Sequence, residues 1–197
     1  MRILWFTNNS AGYKFQNQAG IITYGGWMSS LQDELTRHPE VELGICFCAD
    51  GLPNKEEQNG VMYYPVPHHK KTWKYKLLDA ILFRDDSQDK SVWPYYIEKF
   101  RDVILDFNPD IIQIFGSELY MGLATFATDL PLVLHIQGIL NPYSEVYFPP
   151  GFSIKDYVLL DWSPLHMWKR YYNYVWWKRS CYRERMIIQH THHYVGR

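Results

Sequence analysis

The run Asp110, Ile111, Ile112, Gln113, Ile114 and Phe115 constrains the fold of this chain more than any other stretch. Its β-branched and aromatic residues are too few for a helix and too apolar for a strand wetted on one face, which predicts a buried parallel strand. Asn108 and Pro109 end a helix before it, while Gly116, Ser117 and Glu118 supply a tight turn and a cap for the helix after it. In open parallel sheets ligands bind outside the carboxyl ends of the strands, so Gly116, Ser117 and Glu118 stand where a site is expected.

The rest of the chain repeats the unit. Ile3, Leu4, Trp5 and Phe6 form a first buried strand, followed by a long polar loop over 7–23 whose Asn8, Asn9, Ser10, Gly12, Asn17 and Gly20 favour turns over a packed element. Gly25 and Gly26 open a helix with Trp27, Met28, Leu31 and Leu35 at helical spacing, stopped by His38 and Pro39. Residues 41–48 and 61–66 read as the next strands, separated by a polar loop. Pro94 starts a helix with the stripe Ile97, Phe100, Ile104 and Phe107. After Glu118, a helix carrying Leu119, Leu123, Ala124 and Phe126 leads to a strand over 132–136, which exits at Gln137 and Gly138. Residues 141–163, with Pro142, Pro149, Pro150 and Gly151, form an irregular excursion over the mouth of the sheet. Pro164 opens a long helix whose apolar face is Leu165, Trp168, Tyr172, Val175 and Trp176, and a last strand includes Tyr194 and Val195. The expected architecture is one α/β domain over 1–197, a Rossmann-like, doubly wound parallel sheet with helices on both faces.

Composition narrows the function. A formal charge of −1 over 197 residues gives no basic field for nucleic acid. Cys46, Cys48 and Cys181 make no disulfide framework, which fits a reducing cytosol, and Cys46 and Cys48 read as buried thiols sharing one strand face. Neither a signal peptide nor a membrane span is expected. Aromatic content of 17% suits cores, sugar-stacking surfaces and membrane interfaces alike.

Several features carry two readings. Gly25 and Gly26 let backbone amides at a helix start meet a diphosphate, or merely turn the chain; a G-x-G-x-x-G fingerprint and a P-loop lysine are both missing, which also weakens nicotinamide-dependent reduction. His68, His69, Lys70, Lys71, Lys74 and Lys76, interleaved with Trp73 and Tyr75, touch phosphate or a membrane surface, or form a solvated face. The long helix, with Lys169, Arg170, Lys178, Arg179, Arg183 and Arg185, lies on anionic lipid or covers the sheet, and sheet covering is the commoner case. His135 is a general base or a satisfied core histidine, which leaves Gln137 as the better cleft residue. His190, His192 and His193 lack carboxylate or cysteine partners for a metal, so no metal is expected.

Read together, Leu4 to Asn8, Gly25, Gly26 and Trp27, residues 109–118, Ile136 to Gly138, and Glu184 with Val195, Gly196 and Arg197 make the chain resemble the N-terminal half of GT-B glycosyltransferases. The likeness is to family four, the retaining, nucleotide-sugar-dependent enzymes, and within it to members whose strand-end turn reads Gly-Thr-Glu, here Gly116, Ser117 and Glu118. The resemblance implies a two-domain enzyme whose second Rossmann-like domain, which binds the nucleotide sugar, lies outside this chain, leaving an acceptor-side half inactive alone. It assigns Gly25 and Gly26 to the donor diphosphate and Asn8, Gly116, Ser117 and Gly138 to the acceptor. Glu118 and Gln137 take catalytic positions that orient hydroxyls, Gln137 standing where relatives carry a histidine and His135 two residues earlier. Glu118 as a helix cap stays open beside that role. The implied reaction moves a sugar to a glycan or lipid-linked acceptor with retention, without a cofactor, in the cytoplasm or at the inner face of the membrane in bacterial polysaccharide synthesis. A non-catalytic flavodoxin-like module binding a sugar or partner is the alternative.

Overall fold

The structure, a computed structural model, describes residues 1–17, 20–22, 26–70 and 92–196. Its strands are β1 (Arg2–Thr7), β2 (Phe15–Asn17), β3 (Gly20–Ile22), β4 (Glu42–Cys48), β5 (Glu56–Gln58), β6 (Val61–Val66), β7 (Ile111–Phe115), β8 (Leu132–Ile136) and β9 (Tyr194–Gly196). The helices are α1 (Trp27–Leu35), α2 (Val92–Phe107), a 3₁₀ helix (Tyr120–Phe126), α3 (Leu140–Glu145), α4 (Ile154–Val158) and α5 (Pro164–His190).

Seven strands form the main sheet in the order β5-β6-β4-β1-β7-β8-β9. All its pairings are parallel except that of the edge strand β5. Without β5 the six parallel strands stand third, second, first, fourth, fifth, sixth. That is the order of dinucleotide-binding sheets, not the flavodoxin-like order. The chain reverses its direction of travel across the sheet at β1 and β7, so the crevice expected for a ligand opens between the exits of these two strands.

Both faces of the sheet are covered, as the unbroken apolar runs in β1 and β4 require. On one face Leu4, Phe6, Ile112, Ile114 and Leu134 pack against Phe100, Ile104 and Phe107 of α2, Leu123 of the 3₁₀ helix and Ile187 of α5. On the other, Ile3, Trp5, Ile45, Phe47 and Phe115 pack against Met28 of α1. Cys46 and Cys48 share the first face, as expected from their spacing, Cys46 fully buried and Cys48 at the margin. The second face is thinner over β7 and β8, where Ile111, Gln113, Val133 and His135 are only half-buried, so β7 is wetter on that side than its sequence predicts.

Three expectations change. The loop after β1 is a built structure, because Ala11 and Tyr13 are buried against the second face. Gln32 of α1 ties it down, its Oε1 accepting hydrogen bonds from the Gly12 amide and the Tyr63 hydroxyl, both at 2.9 Å. Beyond it β2 and β3 make a small hairpin. The turn after β7 leads into a 3₁₀ helix, not an α-helix; its N-cap position is Leu119, with no side-chain cap. The excursion over 141–163 is the third, since it contains α3 and α4, both lying along α5.

The corner between α4 and α5 is pinned by Asp161, which accepts hydrogen bonds from Arg170 Nη2 and, at 3.1 Å, the Ser163 amide. The guanidinium, then the Ser163 amide, draw the Asp161 carboxyl down to about 2. A carboxyl depressed in the folded state contributes stability above its unfolded value, about 3.9, and loses it as pH falls through the folded value. Between pH ~4 and ~2, Asp161→Asn therefore flattens the acid titration of tryptophan fluorescence; superimposable curves for variant and parent would exclude this role.

Candidate functional site

The exits of β1, β7 and β8 bring together Asn8, Gly116, Glu118 and Gly138. Gly116 has φ +87°, a left-handed conformation that favours glycine, and a Cβ placed there would lie 2.2 Å from Glu118 Oε2 and 2.8 Å from Asn8 Nδ2. A Cβ on Gly138 would stand 2.9 Å from Glu118 Oε1. The Glu118 carboxyl thus occupies a slot whose walls are two glycines, and both are glycine because the slot has no room for a side chain. Asn8 Nδ2 donates to the Phe115 carbonyl at 3.2 Å, which holds the β1 exit against that of β7. Glu118 Oε2 is buried and has no hydrogen-bond partner among the described residues. A carboxyl oxygen kept from water without a donor costs free energy, so its donor is expected from outside the described residues.

Beside the slot, across Asn8, a cavity of about 260 Å³ is lined by Thr7, Asn8, Cys48, His68, Leu119, Tyr120 and Met121. It opens at the ends of β1, β4 and β6. The Cys48 thiol facing it is pushed up to about 12, by burial first and then by Asp50, so it is no nucleophile. Three larger cavities, about 390, 430 and 290 Å³, lie elsewhere: one beside α2, where Lys55 and Asp106 pair, one by Thr128, Pro131 and His192 at the opposite, entry end of β8, and one on α5 by His166, Lys169, Arg170 and Asn173.

The turn carrying Glu118 is held from behind by α5. Arg183 Nη2 donates to the Glu118 carbonyl at 2.7 Å, its guanidinium lying 4.7 Å from the centre of the Tyr120 ring. Glu184, fully buried, accepts four hydrogen bonds: Ser117 Oγ at 3.0 Å, the Leu140 amide at 2.9 Å, the Asn141 amide at 2.9 Å and Asn141 Nδ2 at 2.8 Å. One side chain thereby ties the β7 exit, the start of α3 and the long helix together. It satisfies amides at the start of α3 that the helix itself leaves unpaired.

The sequence-predicted residues divide accordingly. Asn8, Gly116, Glu118 and Gly138 converge. Ser117 does not face the crevice: its side chain has no exposure and its hydroxyl is engaged by Glu184, so the acceptor role expected of it is corrected to holding the turn. Glu118 does not cap the following helix, whose N-cap position is Leu119. Gln137 is exposed at the exit of β8, next to Gly138. His135 is not a core histidine; it is half-buried, its ring 5.4 Å from Phe115 and 5.8 Å from Trp27. That contact brings the start of α1 to the same edge of the sheet. Gly26 there has φ +49° and ψ −132° and α1 has no side-chain cap, so glycine is present for its conformation, not for space. Gly25 lies outside the described residues, as do Lys71, Trp73, Lys74, Tyr75 and Lys76 of the basic stretch and Arg197.

Arg183 and Glu184 were the residues that pattern reading passed over as supports of the site. A signal existed, because Glu184 is the sole acidic residue in the 27-residue α5. Among the described residues no group of three or more His, Cys, Asp or Glu is placed to hold a metal ion, and no helix is long and apolar enough to cross a membrane.

No protein-family model and no curated protein matches this chain. Among solved structures, the UDP-GlcNAc 2-epimerase of Neisseria meningitidis, determined with UDP-GlcNAc bound, is similar with a TM-score of 0.39 and 14% identity over 68% of this chain and 31% of that one. Sucrose-phosphate synthase from Thermosynechococcus elongatus is similar with a TM-score of 0.45 and 8% identity over 81% of this chain and 39% of that one. The chain thus spans between 31% and 39% of the length of these two structures. Likeness at this level says nothing about chemistry.

Proposed function

We propose that this chain is the acceptor-side half of a GT-B glycosyltransferase of the retaining, nucleotide-sugar-dependent type. The observation that carries the reading is the Glu118 carboxyl, held between Gly116 and Gly138 at the β1–β7 crevice with one buried oxygen lacking a donor among the described residues. A sugar or glycan hydroxyl supplies that donor. Glu118 orients the attacking hydroxyl, with Gln137 beside it and Asn8, Gly116 and Gly138 shaping the acceptor side. The uncapped start of α1, with Gly25 and Gly26, faces the donor diphosphate, whose oxygens its free amides favour. The second α/β half, beyond these residues, binds the nucleotide. The bond from the anomeric carbon to the diphosphate breaks and one to the acceptor oxygen forms, and the departing diphosphate takes the acceptor proton, so no strong protein base is needed. A glycan or lipid-linked acceptor, and a cytoplasmic place of action, belong to this reading.

Calorimetry of the full-length protein with a panel of nucleotide-diphosphate sugars tests it, followed by an assay for acceptor-dependent release of nucleoside diphosphate. One donor binds and is consumed, with the anomeric configuration kept in the product. Failure of every nucleotide sugar to bind would end the proposal, and binding without turnover would leave a sugar-binding module.

A further inference from the structure

Helix α5 is 27 residues long, about 40 Å at 1.5 Å per residue, and only its last third meets the sheet. Its buried residues are Ser180, Cys181, Arg183, Glu184 and Ile187. Leu165 lies on the same line of the helix as Arg183, about five turns earlier, and Trp168, Lys169, Tyr172, Trp176 and Arg179 fall within the same stripe. The stripe that rests on the 3₁₀ helix at one end therefore runs on past the sheet. There Leu165 is 69% exposed, Trp168 42% and Trp176 44%, while Trp162, just before the helix, is 89% exposed. The opposite side of α5 is occupied: Tyr174 stacks on Phe148 at 5.5 Å and Trp177 lies 5.6 Å from Tyr147.

The charge on this shoulder is mostly positive, its carboxylate Asp161 being paired with Arg170. Within α5 there are six Lys and Arg residues against the single, buried Glu184, in a chain whose formal charge is −1. Lys169 and Arg179, beside the exposed aromatics, form no ion pair among the described residues. Trp and Tyr with Lys and Arg around an apolar stripe is the composition that rests at a bilayer interface, rings at headgroup depth and cations on anionic lipid. A symmetric pairing of two copies through this stripe would instead bring like charges together.

We propose that the shoulder formed by Trp162, Leu165, Trp168, Lys169, Trp176 and Arg179 docks the protein onto an anionic phospholipid bilayer. The surface lies along the same helix whose Glu184 holds the turn of the candidate site, and extends to Leu165, about 28 Å from Glu184 at 1.5 Å per residue. Docking does not depend on sugar transfer and stands or falls separately from it.

Flotation of the full-length protein with vesicles tests the proposal. It binds vesicles in which about a third of the lipid is phosphatidylglycerol, not vesicles of phosphatidylcholine alone, and salt releases it. Each cation near an anionic surface contributes about fivefold, so Lys169→Gln with Arg179→Gln lowers partitioning roughly 30-fold. Trp162→Ala with Leu165→Ala lowers it about tenfold or more. Trp162, Leu165 and Lys169 are exposed and Arg179 is half-buried, and unchanged circular dichroism shows the fold intact. Equal binding to both vesicle types, no binding by the folded parent protein, preferential binding of an oligonucleotide, or a dimer that the same substitutions abolish would each overturn it.

Discussion

Glu118→Ala lowers turnover of the full-length protein by about 10²-fold or more while its melting temperature stays level or rises. The two outcomes separate because of where the oxygens are. Oε2 is buried without a partner among the described residues, so removing the carboxyl relieves a cost of about 1–3 kcal/mol and sacrifices none of their hydrogen bonds. What is lost is the carboxyl held between Gly116 and Gly138 at the strand exits. Glu118→Gln, nearly the same shape, also loses turnover, since an amide nitrogen cannot accept from a hydroxyl. Gly116→Ala acts on the same oxygen indirectly, because its Cβ would come within 2.2 Å of Oε2 on a backbone that resists any side chain. Steady-state rates and thermal melts on the same preparations check this. Were turnover and stability to fall together, Glu118 would be a structural residue.

Glu184→Ala does the reverse. Its four donors lose their acceptor at once, and those from Ser117 and the Leu140 and Asn141 amides lie at the junction of three elements. Stability falls by about 3–5 kcal/mol, roughly 10 °C in melting temperature for a chain of this size. Because amides at the start of α3 are among those exposed, hydrogen exchange there rises before the rest of the sheet opens. Ser117→Ala, which removes one donor and leaves the others in place, costs about 1 kcal/mol. A Glu184→Ala protein that melts like its parent would show that these contacts are replaceable by water.

The strands and helices were legible because their signals are local. The apolar run of β1 announced a buried strand, the alternating and then apolar pattern over 41–48 a second strand, and Pro164 marked the start of α5 at the residue where it begins. The 3₁₀ form after β7 was not legible; the segment packs against distant Ile187 at Gly122, where a Cβ would sit 2.6 Å from Ile187 Cδ1. Nor was the order of the loop after β1, which depends on Gln32 reaching it from α1.

The site divides in the same way. Sequence alone determined that Gly116, Glu118 and Gly138 stand at strand exits, because the hydrophobic periodicity that makes a strand also marks where it ends. Only the tertiary structure decided that Glu118 faces two glycines, that Ser117 turns inward, and that Glu184, 67 residues from Ser117, holds them in place. Periodicity reports which face of an element is dry; which buried polar group meets which donor depends on how distant elements pack, and that is written in no single stretch of the chain.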